Sequence, residues 1–145
     1  MSSPMLMDIQ AGIKRALDGI DGLRAQATET DQAPGAAAPI AYPRVVDWTY
    51  DQSWPIDCDD VPTLWHFDIW VLINLSVGLN RAQNELNDFI SPRGRRSVLG
   101  ALSRDSTLGG RVDYIKLVGG GAYGTSDVAG VRCLAASVRA EVQAP

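Results

Sequence analysis

Apolar residues recur along this chain with two different periods, which divide it into helices and strands. Between Asp8 and Leu23, the residues Ile9, Ile13, Leu17, Ile20 and Leu23 recur at intervals of three and four. That spacing places them on one stripe of an α-helix. Gly12, Gly19 and Gly22 each weaken the helix by about 1 kcal/mol relative to alanine, so it must depend on packing. From Tyr42 to Tyr50 the period falls to two and predicts a strand. Val46, Trp48 and Tyr50 share one face, and Asp47, Thr49 and Asp51 share the other. The alternation is clearest from Thr63 to Leu75, where Trp65, Phe67, Ile69, Val71, Ile73 and Leu75 line up on one side. The opposite side carries Leu64, His66, Asp68, Trp70, Leu72 and Asn74, a mixture that is neither dry core nor plain solvent surface and that suits contact with a neighbouring subunit.

A second helix is predicted from Arg81 to Ile90. Asn80 is its expected N-cap with Gln83 completing a capping pair, and Ala82, Leu86, Phe89 and Ile90 form its buried stripe. Pro92 ends it, because the residue before proline avoids helical angles. Ser97 is placed to cap a short helix carrying Val98, Leu99, Ala101 and Leu102. A turn at Thr107–Gly110 leads into a predicted strand from Arg111 to Val118, and a final alternating segment from Val128 to Val142 reads as a half-buried antiparallel strand. Two connections have no period: the Ala-, Gly- and Pro-rich stretch Thr28–Pro39, and Ser53–Pro62, which holds Asp57, Asp59 and Asp60 around Cys58. Clustered carboxylates can bind a divalent cation, but no EF-hand spacing is present, and the stretch reads as a solvated loop.

Residues Gly119–Gly124 spell Gly-Gly-Gly-Ala-Tyr-Gly, which fits the G-x-G-x-x-G pattern of dinucleotide-binding loops letter by letter. That pattern binds a pyrophosphate only when its glycines open a helix. Here a period-two strand follows, and 21 residues remain after Gly124. These are too few for a crossover helix, a further strand and a ribose-binding acid. The glycines are therefore expected to form a pliant hairpin loop, Gly119–Gly130, with Tyr123 near its tip. No nucleotide or other cofactor is expected.

Composition narrows the remaining chemistry. A chain of 145 residues, 46% apolar and 21% charged, suits a single domain spanning 1–145 with a real core. A net charge of −4 gives no general attraction to nucleic acid or anionic membranes. No signal peptide or membrane span is read, which predicts a soluble protein made in a cytoplasm. With two cysteines, one histidine and no Cys-x-x-Cys, a zinc site is not expected. His66 and Asp68 share a strand face and are the one candidate acid–base pair, although no nucleophile is tied to them by spacing. Arg93, Arg95 and Arg96 form the one basic cluster, suited to phosphate or a carboxylate-rich partner.

The element order is helix, strand, strand, helix, short helix, strand, strand. It predicts an α+β fold with a mostly antiparallel sheet of about four strands and helices packed on one face. The succession also resembles the tail terminator proteins of long-tailed bacteriophages, particularly those of actinobacterial phages. The residues that carry the resemblance are the N-terminal amphipathic helix, the Tyr50-Asp51 turn and the Leu64–Asn74 strand running into Arg81-Ala-Gln-Asn-Glu-Leu86. Ile90-Ser-Pro-Arg-Gly94, Ser97-Val-Leu-Gly-Ala-Leu102 and Asp105-Ser-Thr-Leu-Gly-Gly110 follow, before the paired C-terminal strands. The acidic loop Asp57–Asp60 and the Gly119–Gly124 segment depart from the family pattern. The resemblance implies a structural virion protein without catalysis, assembled in the host bacterial cytoplasm. It would cap the head-proximal end of the tail tube as a ring, typically hexameric, stop tube polymerisation and join the tail to the neck, while DNA passes through the lumen without sequence-specific binding. The implied partners are copies of itself, the major tail tube protein and a head–tail connector protein. Candidate interface residues are His66, Asp68, Trp70, Arg93, Arg95, Arg96 and Tyr123. The competing readings are a head–tail stopper or minor tail protein, an enzyme built on His66 and Asp68, and a nucleic-acid-binding module built on the three arginines.

Overall fold

A computed structural model of the chain describes residues 6–29, 32–35, 38–51 and 61–145. Three helices, α1 (Leu6–Leu17), α2 (Leu79–Ile90) and α3 (Val98–Ser103), pack on one face of a single sheet. The strands are β1 (Arg24–Ala25), β2 (Ile40–Tyr50), β3 (Thr63–Asn74), β4 (Tyr114–Val128) and β5 (Val131–Ala144). Their order across the sheet is β1-β2-β3-β5-β4. Every pairing is antiparallel except β1 with β2. This is the expected α+β architecture with five strands rather than about four. The additional strand pairs Arg24 with Ile40 and Ala25 with Ala41, and two residues are too short to show a period.

The main core lies between helices and sheet. Phe67, Ile69 and Val71 of β3 are fully buried there, against Ile9, Ile13 and Leu17 of α1 and Leu86 and Phe89 of α2. All five residues of the N-terminal stripe are buried, yet α1 stops at Leu17 instead of running to Leu23. Ile20 and Leu23 reach the core through successive turns (Ile20 N–H to Leu17 O, 3.0 Å; Leu23 N–H to Ile20 O, 3.3 Å) and Gly22 at φ 76°. A turn can deliver apolar side chains at intervals that a helix would also satisfy.

α2 also departs from its expected start. Asn74 caps a 3-10 turn, Leu75–Val77, by accepting from the Ser76 N–H at 2.8 Å. Gly78, at φ 98°, then leads directly into the helix, and its carbonyl accepts from the Ala82 N–H. Asn80 therefore sits inside the first turn and caps nothing. Ser97 caps α3 as expected, accepting from the Gly100 N–H at 3.0 Å.

The largest correction concerns the glycines. Gly119–Gly124 is not a hairpin loop: β4 begins at Tyr114, runs through the glycines and ends at Val128. The reversal is made by Ala129 and Gly130, both at positive φ. β4 slips register against β5 twice, between Leu117 and Gly119 and between Gly121 and Gly124. At Gly120 the strands approach so closely that a Cβ would lie 2.5 Å from the Ser137 carbonyl oxygen. The glycines thus serve close strand approach and bulges.

A further irregularity interrupts β2 between Val45 and Asp47. It breaks the expected grouping of Val46 with Trp48 and Tyr50. Val45 pairs with the core residue Phe67, Asp47 pairs with His66, and Trp48 pairs with Trp65. Trp48 and Tyr50 thus share the helix-side face with Val45, and Val46 occupies the bulge.

Candidate functional site

The sheet face opposite the helices is partly exposed along its charged rows, while its other end, with Ile40, Tyr42, Leu72 and Ala135, is buried, and Glu29 and Pro34 reach Arg44 and Asn74 there. Strand alternation and antiparallel register align its side chains in cross-strand rows. One row holds Asp47, His66, Glu141 and Lys116, the next Arg44, Asp68 and Arg139, and a third Tyr42, Trp70 and Ser137. A fourth row, Ile40, Leu72 and Ala135, forms a small apolar cluster with Tyr42, and Trp70 packs against it.

Most of the charges on this face have partners among the described residues, Lys116 excepted. His66 Nδ1 lies 2.5 Å from an Asp47 carboxylate oxygen, and Nε2 lies 3.4 Å from Glu141. Asp68 accepts from Arg139 Nε at 3.1 Å. That hydrogen bond, reinforced by the charge of Asp68, raises the Arg139 guanidinium above its ordinary range. Arg44 reaches Glu29 at 3.9 Å. Burial, with the Glu29 charge behind it, raises the Tyr42 phenol, and burial together with Asp127 raises the Cys133 thiol. His66 and Asp68 are therefore not partners of each other: each is engaged by a residue from a neighbouring strand. The buried indole N–H of Trp70 has no hydrogen-bond partner among the described residues.

The other four candidates lie on the helix side. Arg93 and Arg95 are exposed on the turn between α2 and α3. Arg96 leaves them, stacking its guanidinium 4.4 Å above the Phe89 ring, with Asp88 at 3.9 Å. The expected three-arginine cluster is thus two exposed cations with no ion pair among the described residues and one packing residue. The Tyr123 hydroxyl donates to Asn87 Oδ1 at 3.2 Å, which ties β4 to α2. Between these elements lies a cleft of 310 Å³, walled by Phe89, Ile90, Pro92, Leu99 and Tyr123 and floored by Gly119–Gly121.

The structure thus divides the seven candidates into an open-face set of His66, Asp68 and Trp70, and a helix-side set of Arg93, Arg95, Arg96 and Tyr123. It adds Asp47, Glu141 and Arg139, whose roles depend on strand register. It also adds an aromatic group on the helix side of β2 and β3. Trp48 and Tyr50 are 48% and 57% exposed, and the Trp48 indole N–H donates to the Tyr50 hydroxyl at 3.0 Å. Trp48 also meets Trp65 with ring centroids 5.7 Å apart.

Among the described residues, no group of three or more His, Cys, Asp or Glu is placed to hold a metal ion. Asp57, Cys58, Asp59 and Asp60 lie outside the described residues. No described helix is long and apolar enough to cross a membrane. Comparison with protein-family models and with curated proteins gives no match.

Proposed function

We propose that this chain is the tail terminator of a long-tailed bacteriophage, a non-catalytic subunit that caps the head-proximal end of the tail tube as a ring, stops its polymerisation and joins it to the neck. The observation that carries the reading is the exposed charged part of the sheet face opposite the helices, on which most charges already have partners. Covering such a face with another protein leaves few charges for the partner to match, Lys116 among them, which suits a buried interface. The other side of the fold offers a different surface, the apolar cleft beside Arg93 and Arg95. Two unlike surfaces on one subunit suit a heterologous contact, and such contacts close into rings when the rotation permits. The succession from Arg81-Ala-Gln-Asn-Glu-Leu86 to Asp105-Ser-Thr-Leu-Gly-Gly110 gives the phage assignment its direction. An acidic subunit also suits a lumen through which DNA must pass, because a basic lining would hold phosphates.

The test is electron microscopy of tails assembled with and without this protein. Tails lacking it are expected to overgrow or to carry uncapped ends, and purified protein is expected to halt tube polymerisation in vitro. Tails of fixed length with ordinary ends in its absence would refute the proposal. A stopper would join tail to head yet leave tube polymerisation unaffected.

A further inference from the structure

The two outer edges of the sheet support a more specific inference, which rests on the self-assembly part of the proposed function and names the contact that builds it. β4 forms one edge, with no strand beyond it among the described residues. At the other edge β1 covers β2 only at Ile40 and Ala41, so Arg44–Tyr50 has no strand beside it among the described residues. Natural sheets keep such edges short or charged, because an exposed apolar edge is a template for pairing with another chain. These two edges instead hold six of the eight large apolar side chains that stand exposed among the described residues. They are Val46, Trp48 and Tyr50 on β2, and Tyr114, Val118 and Tyr123 on β4.

We propose that β4 of one copy pairs with the free part of β2 of a second copy, extending the sheet from subunit to subunit. Three successive antiparallel pairings make β2 and β4 run in opposite directions. A copy set beside β4 in the same orientation therefore presents its β2 antiparallel to it. The cross-strand rows supply the register. In the row Asp47, His66, Glu141 and Lys116, Lys116 at the β4 end has no ion pair among the described residues, and a carboxylate stands at the β2 end. Continuing that row into the next copy brings its Asp47 opposite Lys116, with Cβ atoms about 4.5–5.5 Å apart. The sides agree in the following rows: the next copy's Val45 meets Leu117 on the helix side, and its Arg44 meets Gly119 on the opposite face. Val46 and Val118, the exposed residues left out of register on the two edges, then fall within one row of each other. The ladder is bounded at both ends. The Ile115 N–H already donates to the Ser106 carbonyl at 2.7 Å, and Pro43 has no N–H to give. Trp48 and Tyr50 of the next copy run on past Lys116 toward the turn that carries Ser106. The contact joins two different edges, so it is heterologous and repeats from copy to copy until it closes.

The experiment uses the full chain in analytical ultracentrifugation with two charge reversals, Lys116→Asp and Asp47→Lys, and a double variant carrying both. Cooperative melting of each is checked first. The wild-type chain is expected to associate as its concentration rises. Each single variant is expected to associate about tenfold more weakly, because like charges then face each other across the contact. The double variant is expected to regain wild-type association. An equimolar mixture of the two single variants should regain it too, since each edge of one then faces the opposite charge on the other. Val46→Lys and Val118→Lys place a charge on either edge without altering Asp47 or Lys116. Each is expected to weaken association as well, and they stand in for a reversal that does not fold. A strictly monomeric wild type, single variants that associate like wild type, or a double variant no better than the singles overturns the edge pairing. Weakening by Lys116→Asp but not by Asp47→Lys also overturns it, in favour of β4 pairing with itself across a two-fold axis. Wild-type association that ignores all these variants overturns the edge pairing and leaves the terminator reading standing. Normal tails made without the protein overturn that reading and leave the edge pairing intact.

Discussion

Replacing Gly120 by alanine tests whether the glycine run is strand or loop. An added Cβ would sit 2.5 Å from the Ser137 carbonyl oxygen, where ordinary contact begins near 3.4 Å, so β4 and β5 must separate by about 0.9 Å there. Forced overpacking of this kind costs about 1–3 kcal/mol. For a chain of this length each kcal/mol lowers Tm by roughly 3 °C, so Gly120→Ala should melt about 3–10 °C below wild type. Gly121 supplies the control: a Cβ there meets nothing within 4 Å and the residue has no positive φ. Gly121→Ala should change stability by under about 1 kcal/mol in either direction. Thermal unfolding followed by circular dichroism, with urea titration for free energies, reads both. A mobile loop would tolerate both alanines. Equal melting temperatures for the two variants, or a larger loss at Gly121, would refute close strand approach as the reason for the glycine.

Phe89→Ala removes a fully buried ring that also supports Arg96, and should cost about 3–5 kcal/mol in urea unfolding. Ser97→Ala removes the cap on Gly100 and the hydroxyl's own bond to the Ser91 carbonyl. It should cost about 1–2 kcal/mol, with faster hydrogen exchange at the Gly100 amide as the local signature. The Tyr42 phenol is raised in the fold above its ordinary 10.0, by burial first and Glu29 second. Its contribution to stability is therefore complete below pH 10 and lost as pH rises through the folded value. Urea titrations across that alkaline range should show the loss in wild type and a smaller loss in Tyr42→Phe.

The buried stripes were legible because burial is what periodicity records. Ile9 through Leu23 and Trp65 through Ile73 identify the core-facing side chains even where the helix they suggest stops early. What failed to show in the pattern was set by backbone geometry. Arg24 and Ala25 form a strand only because Ile40 and Ala41 lie beside them. Asn80 yielded its capping role to Gly78, whose positive φ no side-chain pattern announces. The glycines resembled a loop because a strand drawn tightly against its neighbour needs the same absence of Cβ. The candidate surface was half legible: alternation places His66, Asp68 and Trp70 on one face. Asp47, Glu141 and Arg139 become their neighbours only once β2 and β5 are set in register against β3. Adjacency in sequence suggests an arginine cluster and does not reveal that Arg96 turns inward onto Phe89.

The bulge at Val46 gives β2 a parity. Ahead of it, even-numbered positions such as Tyr42 and Arg44 look toward the face opposite the helices, while beyond it the odd-numbered Asp47 and Thr49 do. Val46 is 40% exposed, so its identity is nearly free, and it serves as the extra residue of the bulge. Deleting this one residue would remove the bulge and leave Asp47 facing His66 and Trp48 facing Trp65, because plain alternation from Val45 gives the same sides. What would exchange the sides is a flat strand that kept Val46, turning Asp47 away from His66 and the two aromatic rings onto the opposite surface.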